Sequence, residues 1–284
     1  MERSGDVEVV RTRAWSAIVR VPTTEGDLWL KEDPPSLAFE PELTLLLAQR
    51  RPDCLPQVVA AAGRRLLTRH VGPRLRDVYE AGGTAPVWED ILPLYGKLQI
   101  DLAPDVEAAL TLGTPDFRLE GFAELVAHLL SPEERGSVAR SIEALGGTLP
   151  PLLSHAEAHD GNVFVGDGRP YFLDWAEAFV SHPFVGSVLM LRAATERNGF
   201  KPGSPEVARL RDLYLEPFTT FAPLPELQNA YGHAYRLGAL ARALTWEPLA
   251  EDSSSTPAGE LSPTDAWVEI FRELLAGTTT LGGA

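Results

Sequence analysis

The sequence holds one cysteine, Cys54, in 284 residues, which excludes an internal disulfide and any metal site built from a set of thiolates. That scarcity fits a reducing interior, so a cytoplasmic location is expected. No stretch supplies the roughly 20 uncharged apolar residues that span a bilayer. The charged start, MERSGDVEVVRTRAW, also lacks the apolar core of a signal peptide, and no membrane partner is expected. Basic residues are few: 25 Lys and Arg against 40 Asp and Glu give a formal net charge of -15. Such a field repels nucleic-acid phosphates and anionic lipid while attracting small cations, so nucleic acid is not an expected partner. What is abundant is apolar material. At 44% hydrophobic content the chain can bury a large core, as one domain or as two lobes sharing a cleft.

Strand character at residues 7–10 and 17–21, a turn-like stretch from Pro22 to Asp27, and a further strand at 28–31 predict an antiparallel hairpin. After Pro34-Pro35, Leu43, Leu46 and Leu47 fall at helical spacing and predict a helix over 42–49. Residues 58–61 and 65–68, separated by Gly63, complete a small sheet with one inserted helix. From Trp88 onward the pattern is helical, over 88–103, 119–130, 133–145, 183–194, 205–218, 224–243 and 265–275. One interruption is a strand, turn and strand at 163–165, 166–168 and 171–173. Residues 251–259 read as a loop and 277–284 as a frayed tail. The expected class is α+β, with the sheet and its helix in residues 1–72 and a mainly helical portion in 73–284.

The densest polar cluster is His155-Ala156-Glu157-Ala158-His159-Asp160-Gly161-Asn162, followed twelve residues later by Asp174-Trp175. A carboxylate and an amide ahead of a short hairpin, with another carboxylate just after it, can converge on one side of the turn. Magnesium takes oxygen ligands and keeps several waters, so Asn162 and Asp174 suffice as protein ligands when phosphates supply the rest. Glu157 stands where it can orient a substrate hydroxyl and accept its proton. His155 and His159 flank Glu157 without the helical setting of H-E-x-x-H, which argues against zinc hydrolysis. A structural role is the usual one for a histidine such as His159.

This stretch resembles the catalytic loop of the aminoglycoside phosphotransferase and choline kinase family of small-molecule kinases, relatives of the protein kinases. The resemblance implies a bilobal protein-kinase-like fold over roughly residues 7 to 195, with a helical extension beyond, and ATP and Mg2+ as cofactors. Glu157 takes the acid-base part, where the family usually has aspartate. Asn162 and Asp174 bind metal, and His155 braces the loop. An asparagine five positions after the catalytic carboxylate also agrees with the protein-kinase loop.

Upstream, Lys31 and Glu42 resemble the lysine and glutamate pair that clamps ATP phosphates in such kinases. Glu40 competes for the second role; Glu42 is favoured because it sits one turn before Leu45 and Leu46. Residues 65–72 resemble the last strand and hinge, which places Thr68 and His70 at the adenine. A G-x-G-x-x-G loop is absent. Thr12 to Ser16 occupies its position, with Ser16 the candidate phosphate contact. Glu177 is a possible contact for an acceptor amine, with a solvated loop carboxylate as the alternative, and Glu226 and Asp265 can add acidic edges. His182-Pro183-Phe184 reads as a helix start, and the six tryptophans as packing residues. The expected function is ATP-dependent O-phosphotransfer to a small hydroxylated, cationic acceptor, an aminoglycoside or amino sugar ahead of choline, homoserine or another small alcohol. Glu157 and the glycine-poor loop leave a nucleotide-binding pseudokinase as the alternative.

Overall fold

Five short strands open the chain: β1 (Glu8–Arg13), β2 (Ser16–Val21) and β3 (Leu28–Glu32), then, beyond helix α1 (Glu40–Arg50), β4 (Val58–Ala62) and β5 (Arg65–Arg69). They form one antiparallel sheet in the order β1-β2-β3-β5-β4, so the last strand inserts beside β3 and β4 becomes an edge. The computed structural model describes residues 1–13, 15–252 and 261–277. Helix α1 starts two residues earlier than expected. Its Pro41 lies in the first turn, where an N–H has no intrahelical partner to lose. The helix buries Leu43, Thr44 and Leu47.

The chain passes to the helical part through Gly72, whose φ is +145°. A Cβ there would lie 2.0 Å from the Val165 carbonyl oxygen, so glycine is required by the close approach as well as by the backbone angle. Helices α2 (Leu75–Glu80), α3 (Trp88–Asp101), α4 (Val106–Thr111), α5 (Leu119–Leu125) and α6 (Pro132–Leu145) follow. Next come β6 (Leu152–Ser154), the hairpin β7 (Val163–Gly166) and β8 (Arg169–Phe172), and β9 (Phe179–Ser181), which pairs with β6. The hairpin turns on Asp167 and Gly168, with φ of 50° and 75°, as a two-residue turn matched to strand twist demands. Helices α7 (Val188–Arg197), α8 (Pro205–Leu215), α9 (Leu224–Asp252) and α10 (Pro263–Ala276) complete the fold.

The helix expected over 119–130 stops at Leu125 and continues as a 3-10 turn, and that over 183–194 divides into a 3-10 turn, Pro183–Ser187, and α7. Glu251 and Asp252 belong to α9 rather than to a loop; residues 253–259 of that predicted loop, and 278–284 of the predicted tail, lie outside the described residues. No helix among the described residues is long and apolar enough to cross a membrane.

An aromatic cluster forms the centre of the helical part. Phe184 packs at 5.6 Å from Tyr214, 5.0 Å from Phe218 and 5.8 Å from Tyr231, with Tyr95 stacked 6.2 Å from Tyr214. Buried Gln99 ties this cluster together: its amide donates to the Leu153 and Pro183 carbonyls and its oxygen accepts from the Tyr214 hydroxyl at 2.7 Å. Rings of this size supply the burial that holds the fold. Tyr95 then connects it to the site, because its hydroxyl accepts from the His155 backbone N–H at 2.8 Å.

Candidate active site

Lys31 on β3 is the hub. It donates to Glu40 at the start of α1 and to Asp174 Oδ1 at 2.6 Å, and Asp33 Oδ1 lies 3.1 Å away. One ammonium thus faces three carboxylates from three parts of the chain. Burial pushes the Lys31 pKa down, but Asp174, Glu40 and Asp33 outweigh it and hold the amine above its usual range. Burial pushes Asp174 up, and the Lys31 charge and hydrogen bond more than offset this, so the carboxyl stays below the usual range. Glu40 and Asp33 go the other way, raised chiefly by burial that Lys31 only partly opposes. Asp33 and Glu40 also face each other across this cluster, and Asp33 raises the proton affinity of Glu40.

Between β6 and β7 the loop is shaped by His155. Its Nε2–H donates to the Leu173 carbonyl at 2.8 Å, and its Nδ1 accepts from the Glu157 N–H at 3.3 Å. One ring therefore fixes the carboxylate before the hairpin and the turn into Asp174 after it. Burial lowers the His155 pKa to about 4, so the ring is neutral with its proton on Nε2, as these two bonds require. Ala156 and Asp174 hold left-handed backbone angles of 64° and 68°, a strain of roughly 1–2 kcal/mol each of the kind that functional sites store. The Asn162 amide donates to the Glu157 carbonyl at 3.2 Å and to Glu157 Oε2 at 3.4 Å. Its Oδ1 has no protein partner among the described residues.

A residue from far along the chain completes the loop. Arg242 of α9, almost wholly buried, donates through Nη2 to Glu157 Oε1 at 2.9 Å and through Nη1 to Glu177. Thr245 donates to the same Glu177 carboxylate at 3.1 Å, and the guanidinium lies 5.6 Å from the Trp267 ring centre. Burial pushes Glu177 up to about 7; Arg242 opposes the shift and the neighbouring Glu157 adds to it. One turn beyond Arg242, Trp246 meets Trp15 from the tip of the β1–β2 hairpin, edge to face at 6.0 Å.

No protein-family model and no curated protein matches the chain. Its backbone does match solved structures. The ethanolamine kinase of Plasmodium vivax superposes with a TM-score of 0.66 at 10% identity, covering 96% of this chain and 84% of that one. A choline/ethanolamine kinase family protein from Mesorhizobium loti gives 0.57 at 16% identity, over 96% and 89%. A thermostable mutant of an aminoglycoside phosphotransferase, solved as a ternary complex with AMP-PNP and hygromycin B, gives 0.50 at 16%, over 96% and 95%. The fold is that of small-molecule kinases. At such identities the likeness is one of fold, an α+β bilobal protein-kinase-like architecture, and it spans nearly the whole chain rather than residues 7 to 195 alone.

Within that small-molecule kinase fold, Lys31, His155, Glu157, Asn162 and Asp174 come together as described. Glu42 does not. The Lys31 partner is Glu40, wholly buried, whereas Glu42 is exposed; two helical positions turn a side chain by about 200°, so only one of the two can face β3. Glu177 is also corrected: it is buried against Arg242 and Thr245, not a solvated loop carboxylate and not open to an amine. Ser16 is buried with its hydroxyl unpartnered among the described residues, although Ala14 in the same turn lies outside them. Thr68 is buried on β5 opposite Trp29. The His70 N–H already donates to the Asp27 carbonyl, and its Nδ1 accepts from Trp29 Nε1 at 3.0 Å, so neither is free for adenine. Asp160 is bridged by Arg76 and Arg197, and His182 accepts from the Phe184 N–H at 3.4 Å. Asp265 caps α10 with Ser262.

Magnesium fits this donor set. Among the described residues no group of three or more His, Cys, Asp or Glu side chains could cage a metal unaided. Magnesium does not need one, because it keeps waters and phosphate oxygens. The free Asn162 Oδ1 and the second Asp174 oxygen are hard oxygen ligands of the right kind.

Proposed function

We propose that this protein is an ATP-dependent O-phosphotransferase acting on a hydroxylated small molecule. The observation that carries the reading is Lys31 bound simultaneously to Glu40 of α1 and to Asp174 beyond β8, which joins the sheet, its helix and the catalytic hairpin around one ammonium. In kinases both the lysine and glutamate pair and the metal-binding aspartate must be in place for transfer. We divide the chain at residues 72 and 73 into a nucleotide lobe and a catalytic lobe. A cytoplasmic setting suits both ATP and the lone, buried Cys54.

In this reading Asn162 and Asp174 hold Mg2+, which neutralises charge on the phosphates when bound. Lys31 holds a phosphate oxygen, released from part of its contact with Asp174 as the nucleotide enters. Glu157 accepts the hydroxyl proton of the acceptor through the carboxylate that Asn162 and Arg242 orient. Its extra methylene reaches roughly 1 Å beyond an aspartate, a displacement large enough to matter, and the hydrogen bonds from Asn162 and Arg242 fix where the carboxylate sits. The acceptor is ranked as a cation, an amino sugar or aminoglycoside before choline, homoserine or another alcohol. With Glu177 closed, that ranking rests on the net charge of -15 alone.

Arg242 also favours a second reading. Arg242 on one Glu157 oxygen and Asn162 on the other engage both atoms that would take the acceptor proton, which suits a protein that binds nucleotide without transferring phosphate. Incubation with magnesium, ATP and a panel of nucleosides, sugars, amino alcohols and aminoglycosides, read by mass spectrometry, separates the two. A product heavier by one phosphoryl group supports the kinase; nucleotide binding with no product from any acceptor supports the pseudokinase.

A further inference from the structure

The missing glycine-rich loop leaves open what holds the outer phosphates, and the register of β1 supplies an answer. Opposed residues of an antiparallel pair share a face. Arg11 stands opposite Ile18, Ile18 opposite Lys31, and Lys31 opposite Leu66, so Arg11 and Lys31 project from the same face, two strands apart. A β-bulge brings this about. Val9 pairs with Val19, yet Arg11 pairs with Ile18, so one residue is skipped. In an unbroken ladder Val10 would oppose Ile18 and Arg11 would turn to the opposite face. Bulges beside active sites re-aim side chains in this way.

The charges around Arg11 are unbalanced. Its guanidinium is partly desolvated, its Nε is buried without a hydrogen-bond partner among the described residues, and Asp174 attracts it against the like charges of Arg13 and Arg74. Among the described residues none of these three arginines is in an ion pair, whereas Arg20, Arg65 and Arg69 of the same sheet, and Arg64 in the turn between β4 and β5, each have a carboxylate partner. Arg13 lies 5.4 Å over the Trp15 ring, but in a chain with a net charge of -15 the lack of a carboxylate partner for all three arginines is not for want of acidic residues. Ser16, two positions before Ile18 and on the same face, adds its buried, unpartnered hydroxyl. A buried polar group with no partner is costly unless a ligand completes it.

We propose that Arg11 binds the terminal phosphates of a nucleoside triphosphate, with Ser16 beside it and Arg13 and Arg74 at the rim, in place of a glycine-rich loop. This rests on the nucleotide-binding reading above and adds a residue to it. Arg11 and Lys31 then grip the polyphosphate from two sides of Ile18, one as a planar fork and the other as a point charge.

Calorimetric titration of the full chain with ATP, ADP and adenosine, in magnesium, tests it on the unmodified protein, Arg11→Gln and Arg11→Lys. Arg11 lies on an edge strand, and thermal melting verifies that both variants fold. The expected result is a loss of ATP affinity of about 10- to 100-fold in Arg11→Gln, the size of a lost charge-assisted hydrogen bond. Adenosine affinity stays unchanged, and Arg11→Lys recovers part of the loss. ATP affinity unchanged in Arg11→Gln, or an equal loss for ATP and adenosine, overturns the assignment while leaving nucleotide binding intact. Failure of the unmodified protein to bind ATP or ADP overturns the nucleotide-binding reading itself, and Arg11 with it.

Discussion

Arg242 Nη2 donates to Glu157 Oε1 across 2.9 Å, joining residues 85 positions apart. Because the same guanidinium holds Glu177, its removal leaves two largely buried carboxylates facing each other. Breaking a buried pair from one side costs about 3–5 kcal/mol. Urea unfolding of Arg242→Ala is expected to show a loss of that order. Arg242→Lys is expected to recover only part of it, since an ammonium cannot reproduce the fork. Stability equal to that of the unmodified protein would contradict the pairing.

Glu157 is tested by shape against charge. Glu157→Gln removes the proton acceptor but keeps the length, so magnesium-ATP binding is retained and transfer at saturating acceptor falls by about 100-fold or more. Glu157→Asp keeps the charge and retains measurable transfer, because positioning and metal contribute much of phosphoryl-transfer catalysis. Turnover of Glu157→Gln equal to that of the unmodified protein would remove Glu157 from the mechanism.

Glu177 gives stability a pH dependence. Its carboxyl sits at about 7 in the fold, against an ordinary value of 4.5, so the native state holds a proton that the unfolded chain has released. The resulting stabilisation is fully present below pH 4.5 and is lost as pH rises through about 7. Thermal melts between these limits are expected to fall more steeply for the unmodified protein than for Glu177→Gln. Parallel curves would contradict the raised carboxyl.

Glu40 and Glu42 give the clearest contrast. Glu40→Gln weakens the hold on Lys31 and is expected to lower kcat/KM for ATP by about tenfold or more, whereas Glu42→Gln, altering an exposed side chain, leaves it unchanged. Steady-state kinetics of both variants decides between them, and the reverse order would restore Glu42.

That contrast shows where sequence stops being sufficient. His155, Glu157, Asn162 and Asp174 were legible because the hairpin between them is local, and a short turn brings its two ends together by itself. Strand and turn signals put Lys31 at the end of a strand, while its part as a phosphate clamp came only from the family resemblance. The choice of Glu40 depended on where α1 begins, and Pro41 in the first turn moved that start by two residues. Strands β6 and β9 are three residues each and pair only through the fold, so no periodicity marks them. Arg242 looks in sequence like any cation on a helix; its role depends on α9 reaching the catalytic loop. Arg11 is invisible for a different reason, since a single bulge decides which face it occupies.

Asp174 is the proposed anchor of a magnesium-bound nucleotide, on which every other role at the site depends. Calorimetric titration of magnesium-ATP into the unmodified protein and Asp174→Ala tests this directly, with circular dichroism confirming the fold. Binding to the unmodified protein, lost or weakened by at least about tenfold in the variant, is the predicted result. The same magnesium-dependent affinity in both proteins would contradict it.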